Sequence, residues 1–202
     1  MVRFTDMKTP LHSPHDPLAT IIDDAARAVA SLHTVLPEIR AAINLLLITL
    51  KRGGKVLSAG NGGSAAEAMH LAEELSGRYK INRRALPGIS LCSDGTALTC
   101  IANDFGFEHV FSRQIEAFGT SGDVLILFST SGNSPNLLQA IVQARSQNMQ
   151  VISLLGHGGG AIRSLSDVEV IVPQTASSHV QEAHQVILHM MLEEIDTAFA
   201  PA

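Results

Sequence analysis

From Lys55 onward, short apolar runs alternate with stretches in which apolar residues recur every three or four positions. The runs at 55–59 (KVLSA), 88–93 (GISLCS), 123–129 (DVLILFS), 151–155 (VISLL) and 168–172 (VEVIV) are brief and continuously apolar, so they predict buried strands. Helical spacing is found between them, over 64–75, 96–102, 109–118, 134–147 and a short piece near Ile162. A last helix is expected over 178–199. Strand and helix in alternation predict an α/β fold, a three-layer sandwich whose five-stranded parallel sheet is covered by helices on both faces.

Two helices should precede this pattern. Asp16-Pro17 has the form of an N-cap followed by proline at the first helical position. Leu18, Ile21, Ile22, Ala25, Val29 and Leu32 then repeat at helical spacing toward Leu36. A second helix is expected from Pro37 to Gly53-Gly54, with Ile39, Ile43, Leu46, Leu47 and Leu50 on one side. Helices this apolar need a partner, either the domain itself or the same helices of another subunit, and the second is the expected one. Residues 1–15 predict a flexible tail, which leaves 16–202 as one domain that includes the N-terminal helices.

Composition narrows the function. Apolar residues make up 46% of the 202 and charged residues 16%, enough for a core. The formal charge of -5 and the lack of a basic stripe argue against a nucleic-acid surface. Apolar runs such as 43–50 are shorter than a membrane span, and the N-terminus has no apolar signal region, so a cytoplasmic chain without a membrane partner is expected. Cys92 and Cys100 lie in apolar stretches and are expected as reduced core thiols.

Two loops carry the candidate chemistry. Ligands of parallel sheets sit beyond the carboxyl ends of the strands. Gly60-Asn61-Gly62-Gly63-Ser64 follows the first strand, and its glycines let an oxygen-rich ligand approach backbone N–H groups. Ser64 and Glu67 have capping-box spacing, and the helix that starts there aims its positive end at the loop. A plain capped turn would give the same pattern. Ser129-Thr130-Ser131-Gly132-Asn133-Ser134 follows the third strand, with Ser134 as expected cap and Pro135 at the first helical position. Four hydroxyls exceed what one cap requires and favour a phosphate monoester.

His70 and Glu74 lie one turn apart on the helix after the first loop, so both face the same way. That pair fits half of a zinc site; a surface ion pair or a satisfied core histidine fits as well. On the last helix Gln181 and His189 share a face but are separated by a rise of roughly 12 Å, at about 1.5 Å per residue. Asn103-Asp104 reads as a loop cap or as a hydrogen-bonding pair for a polyol. Arg78 reads as a phosphate contact, a subunit contact or a helix-end cation.

Taken in order, GNGGSAAEAMHLAEELSGRY, SDGTALTCIANDFGFEHVFSRQIEA, GDVLILFSTSGNSPN and VQEAHQVILH resemble the sugar isomerase (SIS) domain family, and within it the phosphoheptose isomerases. The resemblance covers nearly the whole chain. It implies a flavodoxin-like SIS fold and interconversion of sedoheptulose 7-phosphate and D-glycero-D-manno-heptose 7-phosphate through an enediol, in heptose synthesis for a surface glycan. It implies one zinc ion per subunit on His70, Glu74, Gln181 and His189. Substrate contacts are implied at Asn61, Gly62, Gly63, Ser64, Glu74, Asn103, Asp104, Ser129, Thr130, Ser131, Ser134 and Gln181. Glu74 is the implied base and His189 its partner acid. A homotetramer with sites near subunit interfaces is implied too. Glu182 and His184 fall outside this set and are expected to face solvent or a neighbouring subunit.

There is one departure: family members often carry an arginine before the Gln-Glu pair, where this chain has His179 after Ser178. The rival is a non-catalytic SIS protein that binds a partner as a regulator. Such proteins keep the Gln-Glu pair without the full set of ligands, whereas all four ligand positions are filled here.

Overall fold

The computed structural model describes residues 16–201, and the tail expected over 1–15 lies outside them. Helix α1 (Pro17–Ala30) opens on Asp16, whose carboxylate accepts the Leu18 N–H at 2.9 Å. It passes through a tighter 3₁₀ turn, Ser31–Val35, instead of running on to Leu36. Helix α2 (Leu36–Lys51) then leads into strand β1 (Val56–Gly60) and helix α3 (Gly63–Ser76). After these come β2 (Gly88–Ser90), α4 (Gly95–Phe105), α5 (Ser112–Phe118), β3 (Val124–Ser129) and α6 (Pro135–Ser146). Strands β4 (Gln150–Leu155) and β5 (Val168–Ile171) precede the long helix α7 (Ser177–Ala198).

All strands run parallel in the order β2-β1-β3-β4-β5. The expected run 88–93 yields a strand of only 3 residues, because β2 is an edge strand paired with β1 alone. Val124 to Phe128 are fully buried, as a strand covered on both faces requires. Alternate side chains enter two cores. Val56, Ile126, Phe128 and Leu154 pack with α2, α3 and α7, and Leu57, Leu125, Leu127 and Val151 with α5 and α6. Each fully buried leucine or isoleucine contributes roughly 1.5–3 kcal/mol.

The two N-terminal helices behave differently. Contrary to expectation, α2 finds its partner in this chain: Ile39, Ala42, Leu46 and Leu50 are buried in its own core. Helix α1 runs against α7 and buries only Ala28 of its residues, while Leu18, Ile21 and Ile22 remain exposed. By length and hydropathy the helical stretch Pro17–Lys51 could cross a membrane, which the single runs did not suggest. Its buried residues are instead core residues of the sandwich. The thiol expectation also needs correction: Cys92 is half-buried but Cys100 is exposed.

Helices α3 and α7 are tied together at one end by Arg83. Its guanidinium donates to the backbone carbonyls of Glu74 and Leu75, at 2.8 and 3.1 Å, satisfying the end of α3. Asp196 of α7 pairs with it at 2.9 Å and accepts the Lys80 and Ile81 N–H groups. Burial would raise the Asp196 carboxyl, but these hydrogen bonds and the guanidinium charge outweigh it and hold it below the ordinary value.

Candidate active site

The strand order reverses between β1 and β3, and both glycine- and serine-rich loops leave the sheet at that switch point. Asn61 of the first loop and Asn136 of α6 exchange side-chain hydrogen bonds at 3.0 and 2.8 Å, which fixes the loops against each other. Helices α3 and α6 start here, so two sets of free backbone N–H groups and two positive helix ends meet.

Between the loops lies a cavity of about 70 Å³, lined by Asn61, Ser64, Ser129, Thr130, Ser131, Ser134, Phe128 and Gln181. Among the described residues no lysine or arginine lines it. Part of the hydroxyl set shapes the loop: Ser129 Oγ accepts the Gly132 N–H at 3.0 Å, and Ser131 Oγ the Asn133 N–H at 3.2 Å. Ser134 occupies the N-cap position of α6 but makes no cap hydrogen bond, so the expected cap is absent and its hydroxyl is left for a ligand. The capping box expected for α3 is absent too, since Gly62 caps the helix and Ser64 lies inside it. Gly62 takes φ 58° and ψ -122°, a conformation open to glycine.

Gln181 separates this cavity from a larger groove of about 640 Å³ between α3 and α7. Gly63, His70, Gln181, Glu182, Gln185 and His189 line that groove. His70 Nε2 faces Glu74 Oε1 at 3.4 Å. The His70 and His189 rings meet edge to face, with centroids 5.5 Å apart, and Tyr79 stacks on His189 at 5.9 Å. Donor atoms of His70, Glu73 and Glu74 all lie within 4.8 Å of one another. Imidazole and carboxylate donors suit a divalent cation such as zinc; of the four implied ligands this cluster holds His70 and Glu74, with the exposed Glu73 as its third member.

The fold thus gathers His70, Glu74, Gln181 and His189 along the facing sides of α3 and α7, and Asn61, Ser64, Ser129, Thr130, Ser131 and Ser134 around the smaller cavity. Gly62 and Gly63 form the turn beside them. Asn103 and Asp104 are not brought in: they are exposed near the end of α4 and line neither cavity. Arg78 is exposed and also lines neither cavity. His179, in the position where an arginine is common, pairs with Glu182 at 2.8 Å.

Gln185 was not singled out from the sequence, and Glu67 and His184 were given other places there. Gln185 Nε2 lies 2.6 Å from His70 Nδ1 and 3.3 Å from His189 Nε2. Its place midway between Gln181 and His189, four residues from each, was the available signal. His184 is fully buried, not facing solvent, with Nδ1 3.7 Å from the buried Glu67 carboxylate. Among the described residues neither side chain has a hydrogen-bond partner, so this pair brings α3 and α7 together at a desolvation cost.

A five-stranded parallel sheet with a hydroxyl-lined cavity at its switch point and a groove bearing imidazole and carboxylate groups beside it defines an α/β protein with a ligand site at the carboxyl ends of its strands. The family model described as SIS domain matches residues 22–156. A phosphoheptose isomerase of Campylobacter jejuni is 51% identical over 162 residues, covering 80% of this chain and 87% of that one. The structure of a phosphoheptose isomerase from Neisseria gonorrhoeae superposes with a TM-score of 0.84 at 38% identity, over 92% of this chain and all of the other. One from Francisella tularensis gives 0.87 at 32% identity, also over 92% of this chain and all of its own. The chain belongs to the SIS domain family and, within it, to the phosphoheptose isomerases.

Proposed function

We propose that this chain, acting as one SIS unit over residues 16–202, interconverts sedoheptulose 7-phosphate and D-glycero-D-manno-heptose 7-phosphate. The observation that carries the reading is the position of Gln181, which borders both the hydroxyl-lined cavity and the His-carboxylate groove. A substrate with its phosphate in the first would place its carbonyl end beside the second.

Hydroxyls and backbone N–H groups bind the phosphate without a permanent positive charge, which suits a ligand that must leave. Gln181 orients the sugar between the two compartments. Glu74 removes the proton from the carbon next to the carbonyl, and His189 protonates the oxygen to give the enediol. Glu74 then returns its proton to the former carbonyl carbon while His189 takes back a proton from the other enediol hydroxyl, which becomes the aldehyde oxygen of the aldose. His70, Glu74, Gln181 and His189 would hold zinc, which, when bound, supplies a Lewis acid that polarises the carbonyl oxygen. Asn103 and Asp104 act on substrate hydroxyls across a subunit interface, which accounts for their distance from the cavities of their own chain. The exposed apolar side of α1 supports the homotetramer that this requires. A cytoplasmic enzyme feeding heptose to lipopolysaccharide or another surface glycan is the setting we propose.

The test is turnover of sedoheptulose 7-phosphate followed by NMR, with chelator and then with added zinc. Aldose should form, fall on chelation and return with zinc. Folded, zinc-supplied protein that forms no aldose overturns the reading.

A further inference from the structure

Gln185 touches the two imidazoles of the groove at once, and its amide can do what no charged side chain could do there. An amide nitrogen only donates. With Nε2 at 2.6 Å from His70 Nδ1 and 3.3 Å from His189 Nε2, both ring nitrogens act as acceptors toward it. His70 must then carry its proton on Nε2, the nitrogen that faces Glu74 Oε1 at 3.4 Å. That arrangement gives His70 Nδ1 and His189 Nε2 a shared donor in the cation-free site. It also blocks cation binding, because the Nε2 lone pair that a zinc ion needs is occupied by a proton.

We propose that Gln185 is a positioning residue that sets which nitrogen of His70 is free for a cation. Rotating its carboxamide half a turn exchanges Nε2 for Oε1. The oxygen accepts a proton on His70 Nδ1, which leaves the Nε2 lone pair directed at the Glu74 side, and His189 Nε2, no longer held by the amide donor, is released to turn toward the same cation. The proton moves between the two ring nitrogens at constant charge. A histidine that ligates through one nitrogen commonly has the other held in this way, and removing the partner costs about 10- to 100-fold in metal affinity. An amide serves both states because it offers a donor and an acceptor. Leucine serves neither, and glutamate only the cation-bound one. The proposal rests on the reading of His70 and Glu74 as a cation pair.

Zinc affinity of the full-length wild type, Gln185→Leu, Gln185→Glu, His70→Ala and Glu74→Ala should be measured by competition with a chromophoric chelator. Nitrogen-15 NMR of the histidine rings should be recorded without and with zinc. In the cation-free wild type His70 should be the Nε2–H tautomer and change to Nδ1–H with zinc. Gln185→Leu should weaken zinc binding about 10- to 100-fold, while Gln185→Glu should bind at least as tightly as wild type and hold the Nδ1–H form without zinc. Zinc binding that needs His70 and Glu74 but changes less than twofold in Gln185→Leu overturns this role alone. A cation-free Nδ1–H form in the wild type does the same. Wild-type protein that binds no zinc overturns both this role and the cation reading beneath it.

Discussion

Replacing Gly63 by alanine separates folding from function at the point where α3 meets α7. Gly63 is the first residue of α3 and is not among the glycines with positive φ, so the backbone accepts alanine. Helix propensity favours alanine over glycine by up to about 1 kcal/mol. The three atoms nearest to an added Cβ all belong to the Gln181 carboxamide, with Cδ and Oε1 both at 2.8 Å. These nearest atoms are the end of a flexible side chain, so the Gln181 carboxamide is what must move. Hydrogen bonds to charged groups are worth about 1.5–3 kcal/mol, and losing one lowers kcat/KM by roughly 10- to 100-fold. The expected result is that loss of turnover with a thermal midpoint within about 2 °C of wild type, since a ΔΔG near zero leaves Tm in place. Steady-state kinetics and thermal unfolding should be run on Gly63→Ala, Gln181→Ala and the double variant. Because both act through one side chain, the double variant should be no worse than Gln181→Ala. Wild-type kcat/KM in Gly63→Ala, or losses that multiply in the double variant, would refute the argument.

Glu74→Gln should abolish turnover while inorganic phosphate still binds, as measured by calorimetry; wild-type turnover removes Glu74 from proton transfer. Ser134→Ala should raise KM about tenfold through one lost charge-assisted contact and leave Tm unchanged, because Ser134 makes no cap hydrogen bond; a Tm loss with normal KM contradicts this. Asp196→Asn leaves Arg83 buried beside a weaker partner and should cost about 3 kcal/mol, read by urea denaturation. Asp196 titrates below its ordinary 3.8 when folded. Its stabilisation is therefore complete above that value and is lost as pH falls from 3.8 toward the lower folded value. The stability gap between wild type and Asp196→Asn should shrink over that acid window, and a gap constant with pH would show that the carboxylate charge is not responsible.

Local chemistry explains why so much was readable from the chain. Val124 to Phe128 were legible as part of a buried strand, since five consecutive apolar residues before a serine-rich loop leave no polar face. His70 and Glu74 share a helix face by spacing alone. The misreadings come from features that are not local. Both capping expectations looked sound as spacing, yet Ser64 falls inside α3 because Gly62 takes a conformation that starts the helix earlier. α2 seemed to need another subunit because its apolar side, taken alone, does not reveal that the sheet of its own chain is waiting for it.

The sequence by itself determined the alternating elements, the two loops at strand ends and the residue types able to bind an anion or a cation. Periodicity and glycine placement act over a few residues, and those features need no more. Only the tertiary structure decided that β1 and β3 are neighbours, which merges two loops into one cavity, and that α3 lies along α7. Contacts such as Gln185 with His70 or Glu67 with His184 join residues more than 110 positions apart. Their partners are chosen by how two helices pack on a sheet, and no local pattern along the chain encodes that choice.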